Sequence, residues 1–145
     1  MNVFFDTNVL IAASEQSHPH HFQARTAMQR VVAGQDKGFI GAHSIAEMYA
    51  VLTRLPVQPR IHAMEAARIV TENILPNFEV VPVGKEDYLK ALTAAAEGGW
   101  IGGKTYDALL LRCAAICGVE RIYTFNLADF RKLALRELQD RICSP

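Results

Sequence analysis

Short apolar runs alternate along the chain with longer stretches in which apolar residues recur every three or four positions. The runs at residues 3–5, 38–41, 78–81 and 121–125 predict strands. The longer stretches predict helices, and residues 107–117 are apolar nearly all round, so this helix should be deeply buried. Because strands and helices alternate, the pattern favours βα units and a mostly parallel sheet.

Two of the predicted helices have apolar residues that indicate which face is buried. In residues 44–55 the residues at helical spacing should face the core, and they are Ile45, Met48, Tyr49, Leu52 and Leu55. Glu47 and Arg54 then lie on the outer side of this helix. In the alanine-rich residues 85–97 the expected anchors are Tyr88, Leu89 and Leu92. Residues 136–145 have no pattern that assigns them to an element.

The composition suits one compact domain spanning residues 1–145, since half of the chain is hydrophobic. Lys plus Arg equals Asp plus Glu, at 15 each, so the net charge gives no argument for or against a nucleic-acid partner. The chain has no apolar run that could cross a bilayer and no cleavable leader, so we expect no membrane association and a cytoplasmic location. Three cysteines without a CxxC pair predict neither a disulfide framework nor a closed zinc site.

Acidic residues stand where predicted strands end or helices begin, and they are Asp6, Glu47, Asp107 and Asp129. Each has a simple structural explanation. Asp6 suits a helix cap, Ser44 and Glu47 match a capping box, and Asp107 and Asp129 suit the first turn of a helix. In parallel α/β folds, however, ligands bind at the carboxyl ends of strands, where these acids could meet. Mg²⁺ or Mn²⁺ would then offset their repulsion, activate a water molecule and clamp a phosphodiester.

At these positions the sequence resembles the PIN-domain family, and most of all its VapC-type toxins. The resemblance rests on residues 5–10, 44–48, 106–110 and 123–130, which occur in the order and spacing typical of that family. It implies a three-layer α/β/α sandwich with a mostly parallel sheet, and a divalent metal, Mg²⁺ or Mn²⁺. It also implies single-stranded RNA as the substrate, a small antitoxin protein as partner and a homodimer.

The resemblance also assigns roles to individual residues. Asp6, Glu47 and Asp107 would bind the metal, Thr7 and Asn8 would shape the first turn, with Asn8 hydrogen-bonding Asp6, and Thr124 would support the site. Many relatives carry an acid at the position of Asn126, whereas here the next acid is Asp129, three residues later. Whether Asn126, Asp129 or both complete the centre stays open. The departure also keeps an alternative function open, a catalytically silent PIN-like domain that binds RNA or a protein.

Residues 98–105 match the phosphate-binding P-loop pattern GxxxxGK[ST], which would make the protein a nucleotide-binding one. A P-loop follows a strand, whereas residues 85–97 predict a helix, so a flexible lip beside the site is the preferred interpretation. Arg54, Lys104 and Arg112 are candidates for contacts with RNA phosphates, although a solvated helix face is the preferred explanation for each of them taken singly. The histidines at positions 18, 20 and 21 could suggest a metal site, but a solvated loop is preferred because no Cys lies nearby to complete it, and His43 and His62 are predicted to be structural or solvated.

Overall fold

A five-stranded sheet in the order β3-β2-β1-β4-β5 forms the middle layer of the protein, and every neighbouring pair of strands is parallel. The computed structural model describes all residues from Met1 to Pro145. The strands are β1 (Asn2–Phe5), β2 (Lys37–Gly41), β3 (Phe78–Val81), β4 (Arg121–Tyr123) and β5 (Ile142–Cys143). The predicted parallel sheet is therefore confirmed, with β1 at its centre.

Helices cover both faces of this sheet. They are α1 (Thr7–Ser14), α2 (His21–Val32), α3 (Ala42–Leu52), α4 (Ala63–Arg68), α5 (Lys85–Glu97), α6 (Lys104–Cys117), α7 (Leu127–Leu133) and α8 (Arg136–Gln139). A π-helical stretch, Ile69–Ile74, continues α4. The structure contains no helix long and apolar enough to cross a membrane.

The side chains of β1 alternate between two separate hydrophobic cores, as the period of two along a strand requires. Val3 and Phe5 belong to the core that contains buried residues of α1 to α4. Phe4 points the other way, into the core that α6, α7 and α8 cover. This arrangement confirms the predicted three-layer α/β/α sandwich, with α1 to α4 on one face and α5 to α8 on the other.

The predicted anchors of α5 were wrong, because Tyr88, Leu89 and Leu92 are all exposed. The helix instead buries Ala91 and Ala95, and Ala91 packs against Ala108 and Leu109 of α6. Small side chains let two helices approach closely, so the alanine face is buried between α5 and α6 and the larger residues stay exposed. The predicted face of α3 was partly wrong for a related reason: Met48 and Leu52 are buried, but Tyr49 is exposed.

The carboxyl-terminal tail, whose pattern predicted no element, forms α8 and the edge strand β5. Backbone hydrogen bonds join this strand to β4: the Ile122 amide donates to the Arg141 carbonyl at 2.8 Å, and the Thr124 amide donates to the Cys143 carbonyl at 3.1 Å. The tail therefore fixes the end of β4, where Thr124 lies.

Candidate active site

Asp6 is the first residue after the central strand and lies at the carboxyl edge of the sheet. Its side chain is only 3% exposed. The hydroxyl of Thr124, which follows the neighbouring strand β4, donates a hydrogen bond of 2.7 Å to Asp6 Oδ2. The Asp6 amide donates to the Tyr123 carbonyl at 2.9 Å, so the ladder between β1 and β4 holds both residues in place. The Thr124 hydroxyl therefore holds the Asp6 carboxylate, while its role in a functional site stays a prediction.

Glu47 reaches the same edge from α3. The Thr7 hydroxyl donates to Glu47 Oε2 at 3.1 Å and also shares a hydrogen bond of 2.9 Å with the buried Ser44 hydroxyl. The capping box proposed for Ser44 and Glu47 is wrong, because α3 already begins at Ala42 and its N-cap is Gly41. Ser44 lies inside the helix, so the Glu47 carboxylate turns towards the start of α1.

Asp107 enters from the opposite helical layer, in the first turn of α6. The Asn126 side-chain amide donates to Asp107 Oδ2 at 3.3 Å, and the Asn126 backbone amide donates to Thr124 Oγ1 at 3.0 Å. Asn126 therefore links Asp107 to the threonine that holds Asp6. The structure brings together Asp6, Glu47 and Asp107 from the sheet and from both helical layers.

The pKa values of Asp6 and Asp107 show that the carboxyl groups at this edge repel one another. Burial, together with the negative charges of Asp107 and Glu47, raises the pKa of Asp6 to about 7 in spite of the lowering effect of the Thr124 hydroxyl. Burial also raises the pKa of Asp107 to about 6, with the charges of Glu47 and Asp129 adding to the effect. Simultaneous ionisation of all these acids is therefore unfavourable, and a bound cation would reduce the repulsion between them.

Asp129 and Asn8 lie beside these three acids but make different contacts from those expected. Asp129, in the first turn of α7, forms an ion pair of 3.6 Å with Lys104. The Asn8 side chain makes no hydrogen bond to Asp6. Its oxygen instead accepts a hydrogen bond of 3.4 Å from the Phe125 amide. The Asn8 backbone amide is the group that interacts with the Asp6 carboxylate and lowers its pKa.

The three basic residues that were candidates for RNA contacts lie in different parts of the structure. Only Lys104 lies near the acids, through its ion pair with Asp129. Arg112 instead pairs with Asp87 of α5 at 3.0 Å, so its guanidinium serves the contact between α5 and α6. Arg54 is exposed beyond the carboxyl-terminal end of α3.

In the glycine-rich segment 98–105, residues 98–103 form the turn between α5 and α6, and the segment lacks the geometry of a P-loop. It follows α5 and no strand, and the Trp100 amide donates back to the Ala95 carbonyl at 2.8 Å, as in a Schellman motif. Gly99 has a φ of +69°, and a Cβ on Gly98 would collide with the Trp100 indole. The glycines are therefore explained by the backbone and by Trp100, with no phosphate required.

Oxygen atoms make up the whole donor set of the cleft, which is the chemistry that Mg²⁺ and Mn²⁺ prefer. The raised pKa values of Asp6 and Asp107 also fit a site that takes up a cation. The structure has no group of three His, Cys, Asp and Glu side chains already spaced to hold one ion. Metal binding by these acids therefore stays a prediction.

Sequence reasoning missed the surroundings of Glu47. His43 Nε2 lies 3.7 Å from Glu47 Oε2, and the His43 ring stacks on Tyr106, the residue before Asp107, with ring centroids 4.6 Å apart. The prediction that His43 is merely structural or solvated overlooked this position. The spacing of four residues between His43 and Glu47 on one helix was the signal that could have found the contact.

The fold and the edge together define an α/β/α protein with an acidic, cation-compatible cleft at the carboxyl ends of its parallel strands. Residues 3–135 match the PIN domain family, and the chain belongs to this family. It is 34% identical over 110 residues to ribonuclease VapC27 of Mycobacterium tuberculosis, covering 76% of this chain and 74% of that one.

Solved structures show the same architecture at much lower sequence identity. The Sarcin-Ricin loop cleaving toxin VapC20 of Mycobacterium tuberculosis has a TM-score of 0.69 at 16% identity, covering 88% of this chain and 92% of that one. VapBC2 from Rickettsia felis, bound to a DNA fragment from their promoter, has a TM-score of 0.61 at 18% identity, covering 94% and 98%. These likenesses support the fold independently of the acidic residues.

Proposed function

We propose that the protein is an endoribonuclease that hydrolyses RNA phosphodiester bonds with a metal-activated water molecule, and that it is the toxin of a toxin–antitoxin pair. The observation that carries the proposal is the convergence of Asp6, Glu47 and Asp107, with the pKa of Asp6 raised to about 7. The named ribonuclease relative supports the same activity.

In this proposal Asp6, Glu47 and Asp107 hold Mg²⁺ or Mn²⁺. When bound, such an ion would lower the pKa of a water molecule and offset negative charge on the phosphate. The residues around the acids keep them in place. Thr124 holds Asp6, Thr7 holds Glu47, and Asn126 holds Asp107.

We assign Asn126 a supporting role and Asp129 a position at the border of the centre. Asn126 carries no charge and donates to Asp107, whereas the Asp129 carboxylate is paired with Lys104. An RNA phosphate that approached Lys104 would compete with Asp129 for the ammonium group. The Asp129 carboxylate would then lose its ion pair and could serve as a further acidic group of the centre.

The proposed partners follow from the relatives. VapBC2 of Rickettsia felis, whose structure includes a promoter DNA fragment, supports a small antitoxin protein as partner. A homodimer and a cytoplasmic location, where RNA is available, belong to the same proposal.

Cleavage of a labelled single-stranded RNA in Mg²⁺ or Mn²⁺ tests the proposal. Asp6→Asn and Asp107→Asn should each lower kcat by at least about a hundredfold, because each removes a charged oxygen donor. Asp140→Asn is the matched control: Asp140 is exposed and precedes β5, at the amino edge of the sheet and away from the acids. Equal cleavage by the wild-type protein and both site variants would refute the assignment.

The alternative, a silent domain that binds RNA or a protein, is favoured by Asn126, an uncharged residue at a position where the family resemblance implies an acid. It predicts tight RNA or partner binding with no metal-dependent cleavage by the wild-type protein. The same assay, with a binding measurement added, separates the two functions.

A further inference from the structure

Two aromatic pairs lie at the carboxyl edge of the sheet, and the reaction proposed above does not use either of them. The first is His43 on Tyr106, with ring centroids 4.6 Å apart and an interplanar angle of 21°. His43 lies in the first turn of α3 and Tyr106 in the first turn of α6, so the pair connects the two helical layers. Tyr106 is 49% exposed and is the more accessible member of the stack.

The second pair is His20 on Phe125, with ring centroids 4.3 Å apart and an interplanar angle of 16°. Phe125 directly follows Thr124, and its amide donates to Asn8 Oδ1 at 3.4 Å, so the ring is fixed next to the acids. The His20 ring is the exposed member of the stack. Its backbone amide donates to His18 Nδ1 at 3.1 Å, which orders the segment that carries it.

The strand order puts the two pairs on opposite sides of Asp6. Strand β1, which Asp6 follows, pairs with β2 on one side and with β4 on the other. His43 lies just after β2, and Phe125 lies just after β4. An extended ligand that crosses this edge would therefore meet one aromatic pair before the acids and the other after them.

The charges of the edge point to stacking as the source of affinity. Acids outnumber the nearby cations, and the ammonium of Lys104 is already paired with Asp129. Attraction of phosphates alone is therefore weak here, whereas aromatic faces bind nucleobases without a positive charge. Bases of a duplex are stacked on one another and cannot reach such faces, so the pairs select unpaired nucleotides.

We propose that His43–Tyr106 and His20–Phe125 are base-stacking sites that hold unpaired nucleotides on the two sides of the scissile phosphate. The inference rests on the proposed ribonuclease function and adds the residues that would make it specific for single strands. The two exposed rings, Tyr106 and His20, are the ones that the bases would contact.

The experiment measures kcat and KM with a single-stranded RNA and with the same RNA annealed to its complement. Tyr106→Leu and His20→Leu should each raise KM about tenfold on the single strand, which corresponds to about 1.4 kcal/mol of lost stacking. Tyr106→Phe keeps the ring and should keep the wild-type KM. Tyr88→Leu is the matched control, since Tyr88 is 45% exposed on α5. The duplex should be cut at least tenfold more slowly.

Binding of a labelled single-stranded oligonucleotide, read by fluorescence anisotropy in EDTA, tests the stacking without cleavage. A tenfold weaker affinity of both leucine variants would support the sites even if no RNA is cut, and the failure would then belong to the ribonuclease proposal. Wild-type affinity and KM in both variants would overturn the sites while cleavage still stood. A fall in kcat at unchanged KM in Tyr106→Leu would overturn that site too, because it indicates a structural role beside Glu47.

Discussion

The raised pKa of Asp6 makes the protein less stable as the pH rises. Its pKa is about 7 in the folded protein, against an ordinary value of 3.8. Between these values the folded protein keeps a proton that the unfolded chain has lost, so the free energy of unfolding falls with increasing pH. Integrated from low pH to pH 8, the resulting loss in the free energy of unfolding is at most about 4 kcal/mol. About 2–3 kcal/mol of this loss falls between pH 5 and pH 8.

Asp6→Asn removes the ionisation and should therefore remove this part of the pH dependence. Thermal unfolding of both proteins in EDTA, at pH 5 and at pH 8, measures the effect. From pH 5 to pH 8 the melting temperature of the variant should rise by about 5–10 °C relative to that of the wild-type protein. A difference in melting temperature between the two proteins that stays constant from pH 5 to pH 8 would refute the reasoning.

Asp36→Asn is the control with the opposite sign. Asp36 is also buried, but the Arg30 guanidinium at 2.7 Å holds its pKa below the ordinary value. The stability that Asp36 contributes is present above its unfolded pKa and is lost as the pH falls through its folded pKa. This variant should therefore be destabilised equally at pH 5 and pH 8, since both lie above the ordinary pKa of 3.8, and the loss should shrink only at lower pH.

Three further substitutions test the packing around the cleft. Thr124→Val removes the hydroxyl that donates to Asp6 at 2.7 Å, so denaturant unfolding at pH 8 should show a loss of about 2 kcal/mol, which Thr124→Ser avoids. Gly98→Ala places a Cβ against the indole of Trp100, so the emission of this single tryptophan should shift to the red as the ring is displaced into solvent. Phe5→Ala empties a fully buried position of the central strand and should cost about 3–5 kcal/mol in urea unfolding.

The sequence predicted the sheet and its acidic edge because their signals are local. The run Val3 to Phe5 is apolar at every position, which is typical of a strand that is buried on both faces, and Asp6 interrupts it at the point where the chain leaves the sheet. The family resemblance then supplied Thr124, whose bond to Asp6 spans most of the chain and has no local pattern.

The errors arose where contacts between elements decided the outcome. Tyr88, Leu89 and Leu92 are the most apolar residues of α5, yet its alanines pack because α6 lies close. Ser44 and Glu47 have the spacing of a capping box, but the preceding turn of α3 makes the motif internal. The strand β5 is only 2 residues long, too short to show any periodicity, and it forms by pairing with β4.

The order in which the acids occur along the chain has a consequence for protein synthesis. A ribosome that has made residues 1–103 has produced Asp6 and Glu47, but the second helical layer still lacks α6 and the sheet still lacks β4. Asp107 and the threonine that positions Asp6 arrive only with the last third of the chain. A nascent or truncated chain that ends before α6 therefore carries Asp6 and Glu47 but neither Asp107 nor Thr124, so the acids proposed to hold the metal can meet only when most of the chain has been made.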